Sequence, residues 1–255
     1  MDKLKNLYDK RYSIGYREEL TSYEIARIIA VEHFIKKVLR LKNKRAILDY
    51  GCGNGLYVGL WRRIFPHADL FFSDISDIAL KKLIKKYPEF SDNCGLIKNS
   101  KTPFNSECFE VVISIEVMEH VLNLNNYLND IYRLLKKGGI FIWTTPCANK
   151  FSIEQIYTFF SKNTEKTKEG YKRWKCEDQS HLRRLTTKEI KKKMFKIGFN
   201  MVGFRFRAHF FSFICSKIFK GFLRKFGEKI MLLDYILFKR FPNGASMIGS
   251  AYKLD

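Results

Sequence analysis

An acid two positions ahead of three glycines spaced two apart, Asp49 before Gly51, Gly53 and Gly55, follows the apolar pair Ile47-Leu48. Glycines at this spacing let the backbone turn sharply and approach a ligand with no Cβ in the way. Dinucleotide loops space their glycines as G-x-G-x-x-G and set pyrophosphate on a helix N-terminus, an arrangement poorly suited to a carboxylate just upstream. Asp49 and the early third glycine therefore favour a ligand with a cationic end and no phosphate. A second acid, Asp74, closes the apolar run Leu70-Phe71-Phe72-Ser73. A third cluster, Glu116-x-x-Glu119-His120, puts two carboxylates beside an imidazole, donors that suit a divalent cation or a proton transfer near neutral pH.

These groups need elements to position them, and the hydrophobic pattern supplies an alternation of strand and helix. Apolar positions Ile25, Ile28, Ile29, Phe34, Val38 and Leu41 predict a helix over 21–41, with Thr21 or Ser22 as its cap and Glu24 nearby. Strands are expected at 46–50, 69–74, 95–98, 110–115 and 139–144, and helices at 55–65, at 76–87 with a stop at Pro88, and from Asn123 to Lys136. Further on, Thr186 should cap a helix ended by Gly198, followed by strands at 199–207 and 246–253. Such alternation implies a parallel sheet, in which a ligand lies at the carboxyl ends of the strands. Asp49, Asp74 and the segment Ser114 to Glu116 all fall at such ends.

The motifs, in this order over roughly 45–146, resemble those of the class I S-adenosylmethionine-dependent methyltransferases. The matching stretches are the glycine loop, the acid at Asp74, Phe109 to Val121, and Arg133 to Pro146 with its Gly138-Gly139 pair. The resemblance implies an α/β fold, a Rossmann-like seven-stranded, mostly parallel sheet with helices on both faces, here with a helical insertion before the last strand. It implies S-adenosylmethionine as cofactor, bound by Asp49, Gly51, Cys52, Gly53, Asp74, Ile75, Asn99, Ser100, Ile115 and Glu116, with Asp74 on the ribose hydroxyls. Asp74 has a plainer reading as the cap of the helix near Ser76. At the adenine, many relatives carry an Asp before Leu-Pro-Phe, whereas this chain reads Asn99-Ser100-Lys101-Thr102-Pro103-Phe104, so Asn99 or Ser100 takes that place. His120 is the expected catalytic base, with packing or helix capping as its alternative. His181 lies where some relatives supply a metal ligand, which leaves open a divalent metal held with Glu116, Glu119 and His120. After the fourth strand the chain reads Ser114-Ile115-Glu116-Val117, without the Asn/Asp-Pro-Pro run or Pro-Cys pair of DNA-methylating relatives. A small or lipid-linked acceptor, methylated at O, N or C, is the expected substrate.

Length suits a single methyltransferase domain over 1–255: a helical cover at 1–44, the cofactor-binding core at 45–146, a lid and substrate segment at 147–185, and closing strands at 186–255. Residues 151–180 read as a helix and a mobile lid. The net charge of +21 comes mostly from lysine and invites a nucleic-acid partner. A methyltransferase-fold protein that binds or methylates RNA is thus the alternative reading, disfavoured because no arginine-rich patch or appended RNA-binding module is evident. The six cysteines form no C-x-x-C pair and read as reduced packing residues. No signal-like or membrane-spanning run of about 18 apolar residues is present, so a cytoplasmic location is expected. The insertion 209–241 interleaves Phe210, Phe211, Phe219, Phe226, Leu233 and Leu237 with Lys217, Lys225, Lys229, Lys239 and Arg240. One or two amphipathic helices of this kind can lie on an anionic membrane as a peripheral contact, cover the pocket, or pair two copies.

Overall fold

The structure is a computed structural model that describes residues 2–16, 21–39, 45–160, 164–166, 172–174, 178, 180–211, 215 and 224–254. Helices α1 (Asp2–Ser13) and α2 (Ser22–Val38) precede strand β1 (Ala46–Tyr50). Then follow α3 (Val58–Ile64), β2 (Asp69–Asp74), α4 (Asp77–Lys86), a 3₁₀ turn over Pro88–Asn93, β3 (Cys94–Leu96), β4 (Phe109–Ile115), α5 (Leu124–Leu134) and β5 (Leu135–Pro146). The chain continues through α6 (Ile153–Phe160), the hairpin β6 (Thr164–Lys166) and β7 (Lys172–Trp174), α7 (Thr187–Ile197), β8 (Phe199–Arg207), α8 (Arg224–Phe238) and β9 (Ser246–Lys253).

Seven strands form one sheet in the order β3-β2-β1-β4-β5-β9-β8. β9 runs antiparallel to both of its neighbours, and the pairs from β3 across to β5 are parallel. Side chains alternate across the sheet, as the period of two requires. Ile47, Val111, Ile113, Ile140 and Ile142 pack on one face with α2, α3, α4 and Tyr235 of α8. Leu48, Val112, Phe141 and Trp143 pack on the other with α5 and α7. The strand order reverses between β1 and β4, which opens the crevice at their carboxyl ends.

Local signals fixed several boundaries. Thr21 and Glu24 form a reciprocal capping box at α2, and Thr186 with Glu189 another at α7, whose end is Gly198 at φ +112°. Five expectations need correction. The helix placed from 55 starts at Val58, because Gly51, Gly53 and Gly55 all take positive φ and prolong the turn. α2 stops at Val38, short of 41. The helix ended at Lys136 stops at Leu134, and the strand expected at 139–144 runs from Leu135 to Pro146, Leu135 already pairing with Phe109. The strand expected at 95–98 spans only Cys94–Leu96, after which Lys98 and Lys101 close a tight turn. In the lid segment, α6 and a short hairpin form, while 161–163, 167–171, 175–177 and 179 lie outside the described residues, as do 212–214 and 216–223 of the insertion. The described cysteines, Cys52, Cys94, Cys108, Cys147 and Cys215, are free thiols.

Candidate active site

The loop after β1 is tied to the end of β2 before any ligand is considered. The amides of Gly51 and Cys52 donate to the Ser73 carbonyl at 2.7 and 3.0 Å. A Cβ on Gly51 would stand 2.4 Å from the Val117 side chain, and one on Gly53 2.4 Å from the Tyr12 hydroxyl, so both glycines are needed for space as well as for φ. Asp74 takes the Gly53 amide on Oδ2 at 2.8 Å and the Ser76 amide on Oδ1 at 2.9 Å. The side-chain cap of α4 is Ser76, whose Oγ accepts from the Ala79 amide at 3.1 Å. The carboxylate of Asp74 is thereby left at the loop. Burial pushes its pKa up to about 6, against those amide donors. Asp49 is fully enclosed and accepts from the Trp61 indole N–H at 2.7 Å. Burial, with a contribution from the charge of Asp74, raises its pKa to about 7.

The segment after β4 brings a second set together. Glu116 takes φ +55°, a strained value for a side chain that size and common where geometry serves a site. Its Oε1 accepts from the Thr144 hydroxyl at 2.8 Å, and Oε2 meets Arg27 of α2 at 3.3 Å. Burial opposes ionisation, but the charges of Arg27 and Arg207 hold its pKa down to about 2. Glu119 behaves in the opposite way: burial and the Glu116 charge push it up to about 7. Its Oε2 accepts from Thr145 at 3.0 Å, whereas Oε1 is buried with no hydrogen-bond partner among the described residues. His120 sits in a turn before α5 and not on the helix start, since α5 begins only at Leu124. Its Nδ1 lies 3.0 Å from the Ser180 hydroxyl and 3.1 Å from the Ser180 carbonyl. Arg183, itself buried, donates to the carbonyls of Val121 and Leu122 and so fixes that turn. Ligand atoms of Glu119, His120 and His181 all fall within 4.8 Å of one another. Glu116, the other carboxylate of the spacing motif, is committed to Arg27 and lies outside this group.

Of the residues named from sequence, Gly51, Asp74, Ile75, Ser100, Ile115, Glu116 and His120 line one cleft. Asp49, Cys52, Gly53 and Asn99 are not among its lining. Asp49 and Cys52 are buried behind the loop, and Gly53 faces Tyr12. Asn99 is exposed in the Lys98–Lys101 turn, where its φ of +51° and that of Ser100 at +60° suit a primed turn. Sequence reasoning expected a helical cover at 1–44 but named none of the residues that roof the cleft. Leu4, Tyr8, Tyr12 and Tyr16 of α1 and the turn after it close one side. Arg11 grips Asp178 with two hydrogen bonds of 2.9 and 2.7 Å, and Tyr8 meets Ser180 at 3.3 Å. The Leu4, Tyr8, Tyr12 stripe at a spacing of four was the available signal, weak in so polar a segment. Arg27 and Trp61 were also missed: Arg27 meets Glu116, 89 residues on, and Trp61 returns from α3 to Asp49 of β1.

Fold and site together define a doubly wound α/β protein with a cleft at its switch point. A family model described as "Methyltransferase domain" matches residues 18–203. The chain belongs to that family, among the class I S-adenosylmethionine-dependent methyltransferases. It is 30% identical over 151 residues to a ubiquinone biosynthesis O-methyltransferase of Rickettsia prowazekii, covering 53% of this chain and 58% of that protein. It is also 30% identical over 130 residues to a sterol 24-C-methyltransferase of Pneumocystis carinii, covering 49% of this chain and 33% of that protein. These matches therefore span about a third to three fifths of the relatives' lengths. In fold it is similar to the geranyl diphosphate C-methyltransferase of Streptomyces coelicolor, solved with Mg2+, geranyl diphosphate and S-adenosyl-L-homocysteine. The TM-score is 0.60 at 14% identity, covering 99% of this chain and 98% of that one.

Proposed function

We propose that this chain transfers the methyl group of S-adenosylmethionine to a small or lipid-linked acceptor at O, N or C. The supporting observation is the convergence of Gly51, Asp74 and the Glu116 to His120 segment, encoded far apart, on one cleft. Bound there, the cofactor supplies an electrophilic methyl on a sulfonium. Asp74 is the ribose-binding acid, its position locked by the Gly53 and Ser76 amides. Asp49 acts from behind the loop, its carboxylate attracting the cofactor's ammonium while Trp61 holds its orientation. Ile75, Ser100 and Ile115 form the adenine side, and Tyr8, Tyr12 and Tyr16 exclude water. His120, steered by Ser180 and the Arg183-held turn, takes the acceptor's proton where the acceptor must lose one. Positioning supplies much of the remaining acceleration. Calorimetric titration with S-adenosylmethionine and its demethylated product tests the premise: D74A should abolish binding, and no binding to the unaltered protein would end the proposal. Mass-spectrometric search of a cell extract for a one-methylene gain with labelled cofactor then finds the acceptor.

A divalent cation is a second reading, favoured by the buried Oε1 of Glu119, which accepts no hydrogen bond among the described residues and stands 3.8 Å from His120 Nε2, with His181 close by. One carboxylate and two imidazoles suit a first-row divalent ion. The ion would lower the pKa of an acceptor hydroxyl. Full activity after chelation and dialysis would remove this reading.

The outer face of α8 supports the peripheral membrane contact. Phe226, Leu233, Ile236 and Leu237 are about half exposed, between the exposed Lys225, Lys229 and Arg240. Among the described residues no helix is long and apolar enough to cross a membrane. An apolar row flanked by lysine and arginine fits an anionic lipid surface.

A further inference from the structure

We infer that the methyl acceptor carries an anionic group, a carboxylate or a phosphate, and that Arg207 is its seat at the edge of the reaction site; this rests on the methyl-transfer reading and names its substrate class. The topology places the residue. β9 is antiparallel to both β5 and β8, so β8 runs with β5 and its last residue, Arg207, emerges at the same sheet edge as Thr144 and Thr145. Arg207 pairs in register with Ser246, which in turn pairs with Pro146. That edge is where Glu116, held by Thr144, and Glu119, held by Thr145, already stand.

Arg207 is only 3% exposed. Its guanidinium carbon lies 4.1 Å from the centre of the Tyr23 ring, and Nε donates to the Ser246 hydroxyl at 3.4 Å. Its Nη2 is fully enclosed and has no hydrogen-bond partner among the described residues. Arg27 stands over the same Tyr23 ring at 5.3 Å, and its Nε is likewise buried and partnerless among them. Glu116 feels the charge of both cations, and Arg27 takes its Oε2. Glu119, another acid nearby, accepts from Thr145 on Oε2 and sets Oε1 3.8 Å from His120 Nε2.

Among the described residues, two buried guanidiniums facing one committed carboxylate leave an excess of positive charge in a low-dielectric setting. Such a charge is costly unless an anion completes it, and a cation–π contact with one tyrosine offsets only part of that cost. A guanidinium's fork of donors matches the oxygens of a carboxylate or phosphate, whereas a neutral hydroxyl or an alkyl chain satisfies neither its charge nor its geometry. A wholly neutral acceptor would leave the Arg27 and Arg207 pair as unbalanced as before.

The test is calorimetric titration of the full chain, saturated with S-adenosylhomocysteine, with three matched probes: phenol, 4-hydroxybenzoate and phenyl phosphate. At least one anionic probe should bind about tenfold or more tightly than phenol. R207M should lose that preference while its affinity for S-adenosylhomocysteine stays within about twofold, and R207K should retain part of it. The benzoate and phosphate arms separate the two anion classes. Equal binding of all three probes, no probe binding, or a preference undiminished in R207M would overturn the inference. If R207M fails to fold by circular dichroism, the R207K and unaltered proteins still decide it. Failure of S-adenosylhomocysteine to bind the unaltered protein sinks the methyl-transfer reading instead, and the probes are then titrated on the protein alone.

Discussion

Asp49 and Asp74 lie on adjacent parallel strands, but one is enclosed against an indole and the other opens to the cleft. Both are raised by burial, to about 7 and about 6 from a usual 3.8. An acid with a raised folded pKa is destabilising in its ionised form. That penalty is absent below about pH 4 and complete above about pH 7. A ligand ammonium favours the ionised form, so affinity for S-adenosylmethionine should climb as pH rises through 6 to 7 and then level off. D49N should flatten that rise and bind about tenfold more weakly at pH 8, as read by calorimetry across pH. Arg27 and Glu116 present the opposite case, a buried pair that neutralises itself. R27M leaves the Glu116 carboxylate with one fewer cation, and denaturant unfolding should show a loss of about 3–5 kcal/mol.

At the scale of elements, the turn between β4 and α5 is unusual in being held by a side chain from another segment. Arg183 reaches the carbonyls of Val121 and Leu122, and the Leu182 amide donates to the Glu119 carbonyl at 2.9 Å. R183M should therefore lower stability by about 2–4 kcal/mol. It should reduce kcat more than cofactor affinity, because His120 loses its seat while Asp74 keeps its own. Sheet packing sets a second constraint. A Cβ on Gly249 would stand 2.3 Å from the Trp143 ring, deep between β5 and β9. G249A should cost about 1–3 kcal/mol by overpacking, seen as a lowered thermal midpoint with unchanged cofactor stoichiometry.

For the whole molecule, the question is what its net charge of +21 meets. If the α8 face docks on lipid, the protein should float with vesicles containing phosphatidylserine at low salt and not with neutral vesicles. The double change K225E and K229E should weaken that flotation by about 2 kcal/mol, near 1 kcal/mol for each lysine removed. Retention of bulk RNA with a steep salt dependence, in place of vesicle binding, would favour the nucleic-acid reading.

The sequence by itself determined the strand and helix order, because period-two and period-3.6 patterns and capping residues are local. Strands β1, β2, β8 and β9 stand where their patterns placed them, and Thr186 and Gly198 bound α7 as read. It also determined the glycine turn after β1, since its positive φ values are ones that glycine adopts readily, and the acid that ends β2 at Asp74. What the tertiary structure decided is which charges meet. Arg27 lies 89 residues from Glu116, Arg207 belongs to the far edge of the sheet, and Arg11 reaches Asp178 across the cleft. No local pattern encodes such pairings. They arise because strand order brings distant segments to one edge, where burial makes every unpaired charge expensive.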